Sequence, residues 1–137
     1  MHMAGYSGTP LAKKLGINPG AKILTLNAPK EYRAWLAPLP AGVLFLAGPS
    51  REGVDIVHLF VVSLYELEKS LPRAHRAMRT DGALWVSWYK KAAKIPTDVT
   101  EDLIRACALK TDLVDVKVCA VSEEWSGLKL VVRKERR

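Results

Sequence analysis

Few residues in this chain have side chains suited to chemistry, and they are scattered. Ser87-Trp88-Tyr89-Lys90-Lys91, with Lys94 three residues on, interleaves aromatic rings with ammonium groups. Single-stranded nucleic acids are bound by surfaces of that kind. Trp85 and Trp88 are an odd number of residues apart, so a strand would point them to opposite faces and deny them a shared stacking platform. His58 lies within an apolar run, residues 54–62, where an imidazole must find a hydrogen-bond partner. It reads as a core histidine with one such bond, with a general base as the sharper alternative. His75 stands among Arg73, Arg76 and Arg79 and reads as solvated. Cys107 and Cys119 read as buried thiols, and with the remaining histidines they offer no zinc spacing. The sequence carries no phosphate loop, nucleophile elbow or paired-carboxylate motif. Asp98, Glu101 and Asp102 read as charges favoured at a helix start.

The elements that must position these residues belong to a chain of 137 residues with net charge +7, 49% apolar and 26% charged. That size and mix predict one globular domain and exclude a disordered or disulfide-built chain. The longest apolar runs, near residues 42–47 and 56–64, fall far short of the roughly 20 residues a membrane span needs. Met1-His2 reads as an addition ahead of a native Met3, so the domain is taken as 4–137 and His2 is set aside. Two cysteines and no apolar leader make a cytoplasmic location the expectation. The basic tail, residues 133–137, reads as a solvated strand end, or more sharply as a nucleic-acid contact.

Thr9-Pro10 predicts a capped start for a short helix over 11–15. Strands are predicted over 22–26, 43–47 and 54–62, with a short helix over 31–37. Ser63 and Glu66 form a capping box in which Glu66 reaches back to the Ser63 amide. The helix they open runs to about Met78, with Pro72 kinking it. Asp81-Gly82 predicts a turn into a strand over 83–88. Thr100 caps a helix running to about Lys110, and strands over 113–121 and 128–134 form an antiparallel hairpin around residues 123–127. Alternating strands and helices imply a mostly parallel sheet covered on both faces.

Several segments resemble the class I S-adenosylmethionine-dependent methyltransferases. Pro19-Gly20-Ala21-Lys22-Ile23-Leu24 is similar to the approach to their first strand, and Asp55-Ile56-Val57 to their fourth. Met78-Arg79-Thr80-Asp81-Gly82-Ala83-Leu84-Trp85-Val86 is similar to the approach to their fifth, and the terminal hairpin to their last two. The whole chain also resembles a small bacterial domain family of unknown function. The resemblance implies an α/β fold: a three-layer, Rossmann-like, mostly parallel sheet with a C-terminal antiparallel hairpin strand. The strand order would be two, one, three, four, six, five. Residues 47–54 are too few for the further strand and two helices of the full fold. That family places glycines after its first strand, where cofactor lies against bare backbone. Here the stretch is Leu26-Asn27-Ala28-Pro29-Lys30. The second strand should end in an acidic residue for the ribose, but residues 43–47 run into Gly48-Pro49. No cofactor and no metal are expected.

In a parallel sheet each strand delivers its following loop to one edge. The carboxyl edge therefore gathers the ligand-binding candidates Asn27, Ser63, Trp88, Lys90, Lys91 and Trp125. With the hairpin tip beside the lysine loop, Trp125 could cover that edge or simply plug it, and Glu123 or Glu124 could pair with Lys90 or Lys91. The expected function is a non-enzymatic methyltransferase-like domain that binds a partner protein or small ligand there. A transferase with an atypical site and a nucleic-acid binder using the basic surface are the alternatives.

Overall fold

The computed structural model describes residues 8–137. The expected domain start at Ala4, and the residues ahead of it, lie outside the described residues. The elements are α1 (Leu11–Lys14), β1 (Lys22–Leu26), α2 (Tyr32–Leu36), β2 (Leu44–Leu46), β3 (Val54–Phe60), α3 (Leu64–Ala77), β4 (Met78–Tyr89), α4 (Glu101–Leu109), β5 (Leu113–Ala120) and β6 (Trp125–Val132). The six strands form one sheet in the order β2-β1-β3-β4-β6-β5, as expected. β2, β1, β3 and β4 are parallel, and β6 runs antiparallel between β4 and β5.

The period of two along a strand sorts the core into two layers. Ile23, Ile56, Phe60 and Trp85 pack with Leu11, Leu15, Tyr32 and Leu36 from α1, α2 and the residue after α1. Leu24, Val57, Leu59, Leu84, Val86 and Trp88 pack with Leu67, Leu71, Ala74, Ile104 and Ala108 from α3 and α4. With both faces buried, β3 and β4 carry continuous apolar runs rather than alternating ones. Trp85 and Trp88 do fall on opposite faces. The fully buried Trp85 donates its indole N–H to the Leu15 carbonyl at 3.1 Å, fastening the α1 end to the sheet.

Local expectations fail where a tertiary partner outbids a local one. Asp81-Gly82 does not turn the chain into a new strand: β4 begins at Met78 and carries the pair as a bulge. Val54 pairs with Met78 and Ile56 with Ala83, so the bulged strand takes five steps where β3 takes two. Arg79 holds Asp81 at 2.9 Å across the bulge. Thr9 does not cap α1; Pro10 occupies the cap position, and α1 has no side-chain cap. Glu66 passes over the Ser63 amide and accepts from Val62 N–H at 2.7 Å. Asp98, expected to serve the start of α4, instead accepts the Leu64 N–H at 2.7 Å and so caps α3. Trp125 is the first residue of β6, paired with Tyr89, rather than part of a loop. Cys107 and Cys119 are half-buried rather than buried. Among the described residues no helix is long and apolar enough to cross a membrane.

Candidate functional site

The carboxyl edge is built from the ends of β1, β3 and β4 and the start of β6. Asn27 follows β1 in the left-handed region, at φ 62°, a conformation asparagine tolerates. Ala28 and Pro29 follow, and the Pro29 carbonyl accepts from Tyr32 at the start of α2. Ser63 follows β3 and its hydroxyl accepts from the Glu66 amide at 3.1 Å, satisfying one of the free donors of α3. Ser63→Ala is expected to lower stability by about 1 kcal/mol, read from urea unfolding. An unchanged midpoint would mean that Asp98 alone caps the helix.

Two clefts flank the junction of β4 and β6. There the Lys90 amide donates to the Glu124 carbonyl at 2.9 Å, and the Tyr89 and Trp125 rings lie 4.1 Å apart. The tip therefore meets the lysine loop as expected, through backbone. Glu123 acts on Lys90 by its field, opposing burial and Lys14, which together push the Lys90 ammonium below its ordinary range.

The first cleft, about 710 Å³, follows β4. Trp88, Ile95, Pro96 and Val99 give it apolar walls, and Lys90, Lys91 and Lys94 give it positive charge. Glu101 and Asp102 also line it, but both are held by the Arg105 guanidinium, which further binds Asp115 at 2.9 Å. Thr97 donates its hydroxyl to the Val62 carbonyl at 2.6 Å. Lys94 adopts φ 56°, ψ 31°, a left-handed conformation that costs a non-glycine residue energy. The second cleft, about 460 Å³, lies between Pro29, Glu31 and Trp35 on one side and Ser122, Glu123, Glu124 and Trp125 on the other.

Three of the six candidates, Trp88, Lys90 and Lys91, thus line one cleft, and Trp125 lines the other. Asn27 and Ser63 line neither. Trp125 is 5% exposed, packed edge-on against Phe60, so it largely plugs the edge. Sequence reasoning missed the second cleft's Trp35 and Glu31, and named Lys94 in the aromatic–basic cluster without placing it among the site candidates. It also missed a buried polar chain. His58 Nδ1 meets the Tyr32 hydroxyl at 2.8 Å and Nε2 meets the Ser87 hydroxyl at 2.7 Å. The expected core histidine therefore has two bonds, not one. Burial pulls His58 down to about 3 and pushes the Tyr32 hydroxyl well above its ordinary value. His58 and Ser87 are 0% exposed and Tyr32 3%, so the chain is sealed from any substrate.

No family profile matches this sequence, and no curated protein does. Solved structures do. An S-adenosylmethionine-dependent methyltransferase from Aquifex aeolicus superposes with a TM-score of 0.63 at 12% identity, over 90% of this chain and 88% of that one. Fibrillarin from Aeropyrum pernix, crystallised with S-adenosyl-L-methionine, superposes with a TM-score of 0.59 at 14% identity, over 93% and 70%.

The chain has the methyltransferase fold. Within that fold the cofactor positions can be tested against this chain's own residues. The turn after β1 offers no glycine, and Pro29 has no amide to donate. The end of β2 passes into Ala47-Gly48-Pro49, with no carboxylate for a ribose.

Proposed function

We propose that this chain is a non-enzymatic methyltransferase-fold domain that binds a small anionic ligand at the carboxyl edge of its sheet. The observation that carries the reading is the cleft after β4. Three lysines surround it, apolar side chains floor it, and its two carboxylates, Glu101 and Asp102, both pair with Arg105. Its volume of about 710 Å³ falls in the range that holds small molecules. Lys94 in a left-handed turn adds support, because strained residues persist where function needs them. The cleft's threonine hydroxyls are engaged in structure, with Thr97 on Val62 and Thr100 accepting from Leu103. The hydrogen-bonded Ser87–His58 pair is buried away from it.

Calorimetry tests this with two probes. Adenosylmethionine is expected to give no binding heat, and a micromolar dissociation constant, roughly −8 kcal/mol, would overturn the proposal. Inorganic pyrophosphate is expected to bind the native chain. Binding should weaken at least 10-fold, about 1.4 kcal/mol, in a Lys91→Gln, Lys94→Asn variant, whose asparagine tolerates the left-handed turn. Pyrophosphate binding that survives both substitutions would place the ligand elsewhere.

A further inference from the structure

The sheet is not covered evenly. On the α1–α2 side the layer runs over β1, β3 and β4 and takes in Trp125 of β6 and the half-buried Cys119 of β5. Farther along β5 and β6 the same face carries two lysines. Lys117 on β5 and Lys129 on β6 are directly opposed in the antiparallel register, which puts their Cβ atoms about 5 Å apart. Like charges in that arrangement destabilise a sheet. Lys129 is partly buried, and its ammonium is pushed below the ordinary range first by burial and then by Lys117. Lys14, from α1, reaches across to the Ala120 carbonyl at 3.1 Å. Ala120 is three residues from Lys117, about 10 Å along the strand.

Lys14, Lys117 and Lys129 thus form a strip running from the carboxyl edge to mid-sheet. Among the described residues no ion pair engages any of the three with an acid. Two acids, Asp55 and Asp81, share the amino-edge cavity that Lys129 lines. Both are committed: Asp81 to Arg79, and Asp55 to the Lys22 amide at 2.8 Å, with Arg79 3.9 Å away. Between the strip and β4 lies Gly127, where a Cβ would come 2.9 Å from Val121 and 3.2 Å from Trp85. The floor is therefore shallow. Lys117 Nζ lies 6.0 Å from the centre of the buried Trp85 ring.

We infer that this face binds the phosphate backbone of a nucleic acid through Lys14, Lys117 and Lys129. The opposed lysines are a cost to the sheet that an anion bridging them removes. The net charge of +7 adds long-range attraction to a polyanion. With Trp85 fully buried under the strip, the face offers charge but no ring for base stacking, so binding is to phosphate and independent of sequence. Lys14 and the Lys117–Lys129 pair lie about 10 Å apart along the strand, a spacing that successive phosphates of one backbone can span, which favours a nucleic acid over an acidic protein.

The test is fluorescence anisotropy of a labelled single-stranded DNA of about 20 nucleotides, titrated at several salt concentrations. Three neutralised phosphates predict a log–log salt slope near −2, or about a 20-fold loss of affinity from about 50 to 200 mM salt. Lys117→Gln alone, an exposed change, should make the slope shallower by about 0.7. The triple Lys14→Gln, Lys117→Gln, Lys129→Gln variant should bring it near zero. The proposal fails if the native slope is shallower than about −1 or if the triple variant binds unchanged. It also fails if only the Lys91→Gln, Lys94→Asn variant loses binding, or if polyglutamate binds as tightly as the DNA, which would make the partner an acidic protein.

Discussion

Replacing His58 by leucine is expected to lower stability by about 3 kcal/mol, because it strands two buried hydroxyls at once. Tyr32 and Ser87 meet opposite nitrogens of the ring, at 2.8 and 2.7 Å. Neutral imidazole has one donor and one acceptor, so one hydroxyl donates to it and the other accepts from it. A triple variant, His58→Leu with Tyr32→Phe and Ser87→Ala, removes all the polar groups together and should recover a good part of the loss. The same network predicts a pH dependence. The unfolded histidine takes up a proton below about 6.5, whereas burial holds the folded one neutral down to about 3. Between those values the unfolded chain binds more protons, so stability falls as pH falls, by about 1.4 kcal/mol per pH unit. Urea unfolding at pH 6, 5 and 4 should approach that slope, and the triple variant should lack it. A native chain equally stable throughout that window would show that His58 is not held neutral.

Gly82→Ala is expected to cost about 2 kcal/mol, far more than an ordinary glycine-to-alanine change. A Cβ at Gly82 would lie 2.8 Å from the Asp55 carbonyl, 3.1 Å from that of Val54 and 3.2 Å from that of Arg79. All three are backbone atoms, with no flexible side chain to swing away. The β4 bulge would have to open, disturbing Asp55, whose carboxylate receives the Lys22 amide and so joins β1 to β3. Gly48→Ala is the matched control, since a Cβ there meets nothing within 4 Å, and it should stay within about 0.5 kcal/mol of the native chain. Equal denaturation midpoints for the two variants would disprove the close approach.

The sequence alone determined the class of the sheet and its terminal hairpin, which follow from apolar runs, element order and a short connection, all readable in one dimension. The Ser63 and Thr100 caps were legible for the same reason: each hydroxyl serves an amide three residues on. The strand order was legible only through the resemblance to the methyltransferases. Tertiary structure decided everything that joins distant positions. Asp-Gly at 81–82 has the local chemistry of a turn, yet pairing with β3 on both sides keeps it inside one strand. Asp98 looks like a charge for its own helix, but the fold brings it to α3, 34 residues away in sequence. Tyr32, His58 and Ser87 carry no motif and meet only because α2, β3 and β4 converge on one side of the sheet. The candidate site divided for a related reason. Strands of one sheet do deliver their loops to one edge, but the Tyr89–Trp125 contact and the Lys90–Glu124 bond fill the space between the loops. What remains is a basic cleft on one side of that junction and an acidic, tryptophan-lined one on the other.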